Sequence, residues 1–297
     1  MDTPAIISVR NLTKFYGGTL GVQNIDFTVN RGEIFGFLGP NGAGKTTTIR
    51  MLLDLLRPSF GEIEIFGREI SEHSLEIRKR CGYVPGNFSA YGNMTGKDFL
   101  RFVASMRKAK PGLQGTLIDR FQLSHGDLSQ KVKHLSHGTR QKLGIIQAFF
   151  HQPDLVILDE PTTGLDPLMQ EEFYRLLQEI QNDGKTIFFS SHNLPEVEKV
   201  CQRIAIIREG ELVALETLEG LKKKKLKRLQ FTLSRPVPDL DLPGATLVDQ
   251  KDLSYQYLVK GDIQTLLQWL STLPIKDLTF PEPDLEEVFM AYYRRAE

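Results

Sequence analysis

Short apolar runs alternate with amphipathic stretches along roughly the first two thirds of the chain. Leu155–Leu158 is apolar at every position, and Thr186–Ser190 is apolar at its three central positions, which is typical of strands buried on both faces of a sheet. A further apolar run ends at Phe37 and Leu38. Helical periodicity separates or follows these runs at Ile70–Arg80, Gln170–Asn182 and Leu194–Cys201. This alternation predicts an α/β fold with a mainly parallel central sheet.

Other segments predict antiparallel structure. Ile6–Val9 and Leu20–Val29 are expected to be edge strands of an antiparallel β subdomain, and Gly61–Gly67 alternates as a further strand. Ile204–Ile207 and Leu212–Ala214 flank a polar turn, which predicts a hairpin.

A helical pattern runs from Thr95 to about His151 without a visible break. We therefore expect a helical subdomain at about 88–150, inserted into the α/β domain. Its apolar face carries Phe99, Leu100, Phe102, Val103 and Met106.

The α/β pattern stops at the basic run Lys222–Arg228, which we interpret as a solvated domain boundary, with a contact to anionic lipid as the alternative. The predicted domains are 1–220 and a small α+β lobe at 221–297, in which no catalytic constellation is visible. The elements expected in the lobe are strands at Leu229–Leu233, Thr246–Val248 and Tyr255–Val259, a helix at Ile263–Leu270 capped by Asp262, and a last helix opened by a capping box at Asp284–Glu287.

Composition excludes some partners and leaves others open. The 297-residue chain has 37 basic and 37 acidic residues and a formal net charge of zero, so no nucleic-acid partner is expected. Cys81 and Cys201 fit no metal or disulfide pattern, which favours a reducing compartment. No secretory signal and no run of ~18 apolar residues is visible, so we expect any membrane role to come from another chain.

The stretch GPNGAGKT, Gly39–Thr46, satisfies the P-loop pattern GxxxxGK[ST] between an apolar strand and a helical segment. Its glycines 39, 42 and 44 are predicted to adopt positive φ and to turn N–H groups toward a polyphosphate. Lys45 would reach the β and γ phosphates, and the Thr46 hydroxyl would ligate Mg²⁺. The alternative is a glycine-rich turn that binds nothing. The predicted nucleotide contacts are Gly39, Pro40, Asn41, Gly42, Ala43, Gly44, Lys45, Thr46 and Thr47.

Two further features fit a nucleotide. Tyr16 could stack on a purine base, although Phe15 could do so instead, or the ring could simply cover the core. Asp159 and Glu160 close an apolar strand, where an acid can hold magnesium through water and the next acid can polarise a water for attack on the γ phosphate. Paired carboxylates are costly to bury without such a role.

These features and three later motifs, in their order along the chain, resemble the nucleotide-binding subunits of ABC transporters. The resemblance covers roughly the first two thirds of the sequence and implies a P-loop NTPase fold. The matching residues are Tyr16, GPNGAGKT, Leu135–Gln141 (LSHGTRQ), LVILDEP, Gly164–Pro167 and His192. More weakly, Leu285–Phe289 in the C-terminal lobe resembles the tail of ABC-2 type drug- and antibiotic-export ATPases.

The resemblance implies a composite site. In the family, the LSGGQ segment completes the ATP site of the opposite subunit, so Ser136 and Gly138 are expected to contact a partner's γ phosphate, while His137 and Thr139 depart from the consensus. Asp166 resembles the D-loop acid that links the two ATP sites. His192 matches the switch histidine, which could hydrogen-bond the γ phosphate or the attacking water.

One family residue is missing. The strand that ends at Pro85 is usually followed by a glutamine that contacts magnesium and the membrane subunit, whereas this chain has Gly86 and then Asn87. Asn87 could substitute with a shorter reach, or water could fill the position.

The sequence therefore predicts a dimeric ATPase, paired with a second copy or a homologous subunit, that sandwiches two Mg-ATP. Glu160, His192 and Lys45 are the expected catalytic residues, and Thr46 and Asp159 the expected metal ligands. The dimer would drive a separate transmembrane permease, for export, from the cytoplasmic face of the membrane. The rivals are a soluble ABC ATPase acting on nucleic acid or ribosomes and a regulatory module that binds ATP without turnover.

Overall fold

A computed structural model describes residues 5–88, 91–107, 112–223, 227–237, 240, 242, 244–259 and 263–280. The chain forms two compact units, Met1–Leu218 and Glu219–Glu297. In the described part of the chain, no helix combines the length and the apolar character needed to cross a membrane.

The elements of the first unit follow the predicted alternation of strands and helices. The strands are β1 Ala5–Tyr16, β2 Thr19–Asn30, β3 Ile34–Leu38, β4 Phe60–Ile65, β5 Arg68–Glu69, β6 Cys81–Val84, β7 Leu155–Asp159, β8 Thr186–Ser191, β9 Arg203–Arg208 and β10 Glu211–Thr217. The helices are α1 Lys45–Leu52, α2 Ile70–Lys79, α3 Gly96–Arg107, α4 Gly112–Arg120, α5 His125–Ser129, α6 His137–Phe149, α7 Pro167–Asn182 and α8 Leu194–Val200, with a 3₁₀ turn at Val132–His134.

The central sheet has the strand order β10-β9-β3-β8-β7-β6. Its pairs are parallel except for the β9–β10 hairpin. Every residue of β3, β7 and β8 is buried, because other elements of the first unit cover both faces of the parallel sheet. The predicted mainly parallel α/β fold is confirmed, and the carboxyl ends of β3, β7 and β8 lie side by side at one edge, where α/β proteins bind ligands.

The second sheet, β2-β1-β4-β5, is antiparallel. The prediction that β1 is an edge strand is wrong, because β1 pairs with β2 on one side and β4 on the other. Aromatic rings join the two sheets: the Phe27 ring of β2 lies 5.7 Å from that of Phe35 in β3 and 6.0 Å from that of Phe188 in β8. Pairs of this kind add about 0.5–1.5 kcal/mol beyond the burial of their area.

The insertion is helical but not continuous. Gln122 has a positive φ of 52°, which ends the α4 segment, and Ser124 restarts the chain with a capping box on Asp127. Ser136 then caps α6. The prediction of helix throughout missed these breaks because the apolar periodicity continues across them.

The second unit contains β11 Lys227–Leu233, β12 Ala245–Lys251, β13 Ser254–Val259, α10 Ile263–Leu270 and β14 Ile275–Thr279, while α9 Leu218–Lys223 spans the boundary. Its antiparallel sheet has the order β12-β13-β11-β14. The prediction missed β14, an exposed edge strand in which only Ile275 and Leu278 are apolar. Asp262 and the predicted last helix at Asp284–Glu287 lie outside the described residues, as does Leu285–Phe289.

Candidate functional site

The glycine-rich loop joins the end of β3 to the start of α1. Gly42 and Gly44 have φ of 83° and 108°, as predicted, and Gly44 is the N-cap of α1. The prediction of positive φ at Gly39 is wrong. Gly39 is needed for space instead, because a Cβ at this position would lie 2.4 Å from the carbonyl oxygen of Ile207.

Lys45, at the first position of α1, is buried with 6% of its surface exposed. Its Nζ donates hydrogen bonds to the carbonyl oxygens of Gly39 at 2.6 Å and Pro40 at 3.0 Å, and it lies 3.1 Å from Glu160 Oε1. The ammonium group is therefore held at the loop before any phosphate arrives, with little side-chain entropy left to lose on binding.

Asp159 ends β7 and is almost fully buried, with 2% of its surface exposed. Ser190 Oγ donates to Asp159 Oδ1 at 2.9 Å, and Thr46 Oγ1 donates to Asp159 Oδ2 at 2.8 Å. Hydroxyl and carboxylate oxygens are hard ligands of the kind that Mg²⁺ prefers. Thr46 and Asp159 bring two such oxygens within 2.8 Å of each other beside the phosphate loop, so the pair fits magnesium, which Asp159 would hold through water.

Glu160 follows with a positive φ of 50°, an uncommon conformation for a residue with a side chain. Its Oε2 lies 2.5 Å from His192 Nδ1. Its Oε1 is buried and accepts no hydrogen bond from the described residues, although Lys45 Nζ forms an ion pair with it. His192 and Lys45 therefore orient the two carboxylate oxygens, and a carboxylate held at the end of β7 in this way suits a general base.

Tyr16 and Phe15 are both exposed, at 46% and 40%. Tyr16 is the ring tied to the loop, because its hydroxyl lies 3.3 Å from Thr47 Oγ1 in α1. The Lys14 ammonium lies 5.7 Å from the Tyr16 ring centroid. An exposed aromatic face beside the phosphate loop is a stacking surface for a base.

The LSHGT segment forms the N-terminus of α6. Ser136 is exposed, and its Oγ accepts a hydrogen bond from the Thr139 N–H at 3.1 Å and lies 2.8 Å from Thr139 Oγ1. Gly138 packs against the loop after β7, since a Cβ there would lie 2.6 Å from the Gly164 carbonyl oxygen. His137 contacts the same glycine: a Cβ on Gly164 would lie 2.1 Å from its Nδ1.

Asp166 is exposed at the N-terminus of α7, where its Oδ1 accepts a hydrogen bond from the Met169 N–H at 3.0 Å. Within the described ranges, the contacts of Ser136, Gly138 and Asp166 run to their own helices and to Gly164. The structure therefore joins Lys45, Thr46, Asp159, Glu160 and His192 directly, with Tyr16 reaching them through Thr47, and leaves the LSHGT segment and Asp166 as a second group.

Sequence reasoning missed Ser190 and Gln141. Ser190 is fully buried and orients Asp159, while Gln141 Nε2 donates to the Pro161 carbonyl oxygen at 2.8 Å, just after Glu160. A serine at the end of a run predicted to be buried on both faces was the available signal for Ser190. Gln141 belongs to the matching LSHGTRQ segment, but no role was predicted for it, because a polar residue in an amphipathic helix is usually exposed.

Gly86 lies against the acid at the end of β7. A Cβ on Gly86 would lie 3.2 Å from the Asp159 carbonyl oxygen and 3.6 Å from its Oδ2, whereas Asn87 is exposed. The backbone thus approaches Asp159 at the position where the family's glutamine is absent.

Comparison with known proteins gives a consistent result. The ABC transporter family profile matches residues 22–163. The chain is 41% identical over 231 residues to the bacitracin transport ATP-binding protein BcrA of Bacillus licheniformis, covering 77% of this chain and 75% of BcrA. It is 37% identical over 225 residues to the Nod factor export ATP-binding protein I of Ralstonia nicotianae, covering 72% and 67%.

Solved structures agree. An ATP-binding subunit of an ABC transporter aligns with a TM-score of 0.69 and 30% identity, covering 74% of this chain and 92% of that one. A dimeric ATP-binding cassette in a post-hydrolysis state with ADP and Pi aligns with a TM-score of 0.66, covering 71% and 98%; at 24% identity this match concerns the fold alone. The chain belongs to the ATP-binding subunits of ABC transporters and is an ATPase of that family.

Proposed function

We propose that this chain binds Mg-ATP in a head-to-tail dimer and hydrolyses it to drive a separate transmembrane permease, for export. The observation that carries the proposal is the direct linkage of Lys45, Thr46, Asp159, Glu160 and His192 at the carboxyl ends of β3, β7 and β8. ATP binding is assigned to residues 1–220, with 221–297 as an accessory lobe.

Each side chain has a chemical role in this proposal. Glu160 accepts a proton from the attacking water, and His192, bonded to the other carboxylate oxygen, orients that water or the γ phosphate. Lys45 and the N–H groups at the start of α1 stabilise the charge that develops on the phosphate. Thr46 and Asp159 would hold Mg²⁺, which would neutralise charge on the β and γ phosphates.

A second copy completes each site. Ser136 and Asp166 are exposed at two helix N-termini, and the neighbouring Leu168 is 67% exposed although it is a large apolar residue. N–H groups at a helix N-terminus are ready donors to a phosphate. A head-to-tail dimer would bring this surface over the partner's phosphate loop, with the Ser136 hydroxyl and the Gly138 N–H on the γ phosphate. A relative of the same fold has been solved as a dimer with ADP and Pi.

The permease contact is proposed for the helical insertion near Phe88–Phe102. Tyr91 is 65% exposed there, and its ring lies edge-on to Phe102 with centroids 5.7 Å apart. Met106 on the same helix is 69% exposed. Closure and reopening of the dimer would move this surface, at the cytoplasmic face of the membrane. The chain is similar to a bacitracin transport protein and to a Nod factor export protein, which favours export.

The decisive experiment replaces Glu160 by glutamine, which keeps the size but removes the base. We expect the hydrolysis rate to fall by about 10²–10⁴-fold with ATP binding retained, and ATP-dependent dimers to accumulate in size-exclusion chromatography. Glu171→Gln is the control, because Glu171 is an exposed acid paired with Lys199 away from the site. Unchanged hydrolysis in Glu160→Gln would contradict catalytic turnover at this site, and a specific activity that is insensitive to dilution would contradict the dimer.

A further inference from the structure

We infer that Glu196 is a positioning residue for hydrolysis, which holds the Glu160 and His192 loops in register through two buried hydroxyls. The inference rests on the proposed roles of Glu160 and His192. Glu196 itself lies in the first turn of α8. Its carboxylate accepts hydrogen bonds from Thr162, Ser191 and, at 3.5 Å, Asn193, so its effect on hydrolysis would pass through the two loops.

The Glu196 carboxylate divides its two oxygens between two loops. Oε1 accepts a hydrogen bond from Thr162 Oγ1 at 2.8 Å, and Oε2 accepts one from Ser191 Oγ at 2.9 Å. Thr162 is 4% exposed and Ser191 is fully buried. Hydrogen bonds from buried hydroxyls to a carboxylate are charge-assisted, and they are stronger than bonds between neutral groups. The Glu196 side chain therefore connects the loop after β7 to the end of β8 through two hydrogen bonds.

The loop after β7 has an unfavourable backbone conformation that other contacts must stabilise. Glu160 has a positive φ, a conformation that costs about 1–3 kcal/mol and persists only where the surroundings over-determine it. Its N–H donates to the Ser190 carbonyl oxygen at 3.1 Å, and Gln141 holds the next carbonyl. Glu196 supplies the third anchor, two residues beyond Glu160.

The loop after β8 is held in the same way. Ser191 Oγ donates to Glu196 and accepts a hydrogen bond from the Asn193 N–H at 2.9 Å, which fixes the backbone on both sides of His192. The 2.5 Å contact between His192 Nδ1 and Glu160 Oε2 depends on both loops. A displacement of about 1 Å between reacting groups can lower a rate by about 10²-fold.

A simpler interpretation is that Glu196 only stabilises α8. Acids are common in the first turn of a helix because they interact favourably with its dipole. Here, however, the two carboxylate oxygens accept from hydroxyls outside α8: Thr162 lies in the loop after β7, and Ser191 ends β8. A role in helix stability predicts a lower melting temperature, whereas a positioning role predicts a lower kcat in a protein that still binds ATP.

The test measures kcat, KM for ATP and the melting temperature for Glu196→Ala and Glu196→Gln. We expect Glu196→Ala to lower kcat by about 10–100-fold with KM within about threefold of wild type. Glu196→Gln should recover part of the loss, because its amide keeps one acceptor oxygen and the hydroxyls can rotate. Glu171→Gln, on the same pair of helices α7 and α8, should leave kcat unchanged.

A double-mutant cycle separates positioning from general destabilisation. In a His192→Ala background, Glu196→Ala should lower kcat by a much smaller factor than in the wild type, because the contact between His192 and Glu160 is already absent. If Glu196→Ala does not fold, Thr162→Val and Ser191→Ala remove the two arms separately and should each lower kcat. Wild-type kcat in these variants, or full additivity with His192→Ala, would overturn the inference. If Glu160→Gln hydrolyses ATP normally, the proposed function fails instead.

Discussion

The two groups of site residues are built in opposite ways. Lys45, Asp159 and Glu160 are buried or nearly so, and each already contacts another member of its group. Ser136 and Asp166 are exposed, and each uses its side chain only to cap its own helix in the described part of the chain. The first group is pre-organised within one chain, whereas the second presents donors outward.

This difference indicates at which step the proposed dimer would contribute to hydrolysis. A pre-organised group loses little entropy when the nucleotide binds, so its residues should dominate binding and the chemical step. In the proposed head-to-tail dimer, the exposed group would contact a phosphate only when a second copy binds, so its residues should affect turnover through association. Mutations in the two groups should therefore be distinguishable, and each would complement the other in a mixed dimer.

The largest effect is expected in the first group. Lys45→Ala should lower hydrolysis by about 10²–10³-fold, because it removes a cation fixed beside the developing phosphate charge. Steady-state hydrolysis by the purified variant checks this. Lys185→Ala is the matched control, since Lys185 is half-buried and pairs with Asp154 at 2.9 Å, outside the site residues. Equal losses in both variants would contradict a specific role for Lys45.

In the second group, Ser136→Ala should lower hydrolysis by about 10-fold or more and weaken ATP-dependent dimerisation. It should also cost about 1 kcal/mol of stability, because a helix cap is lost. Ser124→Ala is the control: Ser124 caps α5 through the Asp127 N–H at 3.0 Å, so it loses a cap without touching the site. If both variants lose the same fraction of activity, the loss of a helix cap alone accounts for the effect of Ser136→Ala.

Mixing the two impaired variants tests the same comparison more directly. A heterodimer of Lys45→Ala and Ser136→Ala chains contains one site with both changes and one site with neither. Activity should therefore reappear on mixing, measured against each variant alone at the same total concentration. No recovery in verified heterodimers would contradict the head-to-tail arrangement.

A smaller effect is expected at Tyr16, on the edge of the first group. Tyr16→Ala should raise KM for ATP by about tenfold with little change in kcat, because base stacking contributes about 1–3 kcal/mol to binding. Tyr16→Phe keeps the ring and should bind nearly as well, and Phe15→Ala serves as the control. If Phe15→Ala raises KM while Tyr16→Ala does not, Phe15 is the stacking ring.

The smallest effect concerns the far end of α6, whose N-terminus carries Ser136. Arg107 Nη1 donates to the Cys81 carbonyl oxygen at 3.0 Å and lies 3.1 Å from His151 Nε2, just after the helix. Burial, helped by the Arg107 charge, lowers the pKa of His151 from 6.5 to about 4. This end of α6 is thus packed around a neutral imidazole, in contrast to the exposed start.

The depressed pKa of His151 makes stability depend on pH. The unfolded chain binds this proton below pH 6.5, whereas the folded chain binds it only near pH 4. The contribution of the neutral His151 to the free energy of unfolding is therefore complete above pH 6.5 and is lost as the pH falls toward 4. The expected loss is at most about 1 kcal/mol per pH unit in this window. Urea unfolding at pH 7 and pH 5 should show a stability gap between wild type and His151→Gln that narrows on acidification. A stability difference that is the same at both pH values would contradict the lowered pKa of His151.

Much of the fold could be predicted because the signals are local. GPNGAGKT predicted a loop between a strand and a helix, and the apolar run before Asp159 predicted a buried strand; both are found in β3, α1 and β7. The edge strand β14 could not be predicted, because a strand exposed to solvent has no reason to be apolar. The role of Gly39 was also hidden, since it depends on Ile207 from a distant strand.

For the candidate site, the residue types were predictable but their partners were not. The adjacent acids Asp159 and Glu160 stand out in the sequence, whereas Ser190 and Glu196 look like ordinary members of a strand and a helix. Their importance comes from hydrogen bonds to residues more than 30 positions away. Such contacts depend on which strands are neighbours, and that order is set by packing of the whole domain.

The amino-acid sequence alone shows which chemical groups are available, and it places the phosphate loop and the buried strands, because these elements follow from neighbouring residues. Which atoms come into contact depends on the fold of the whole domain. Thr46 and Asp159 are separated by 113 positions, yet their oxygens lie 2.8 Å apart. The physical reason is that β8, between β3 and β7, aligns the carboxyl ends of all three parallel strands at one edge of the sheet.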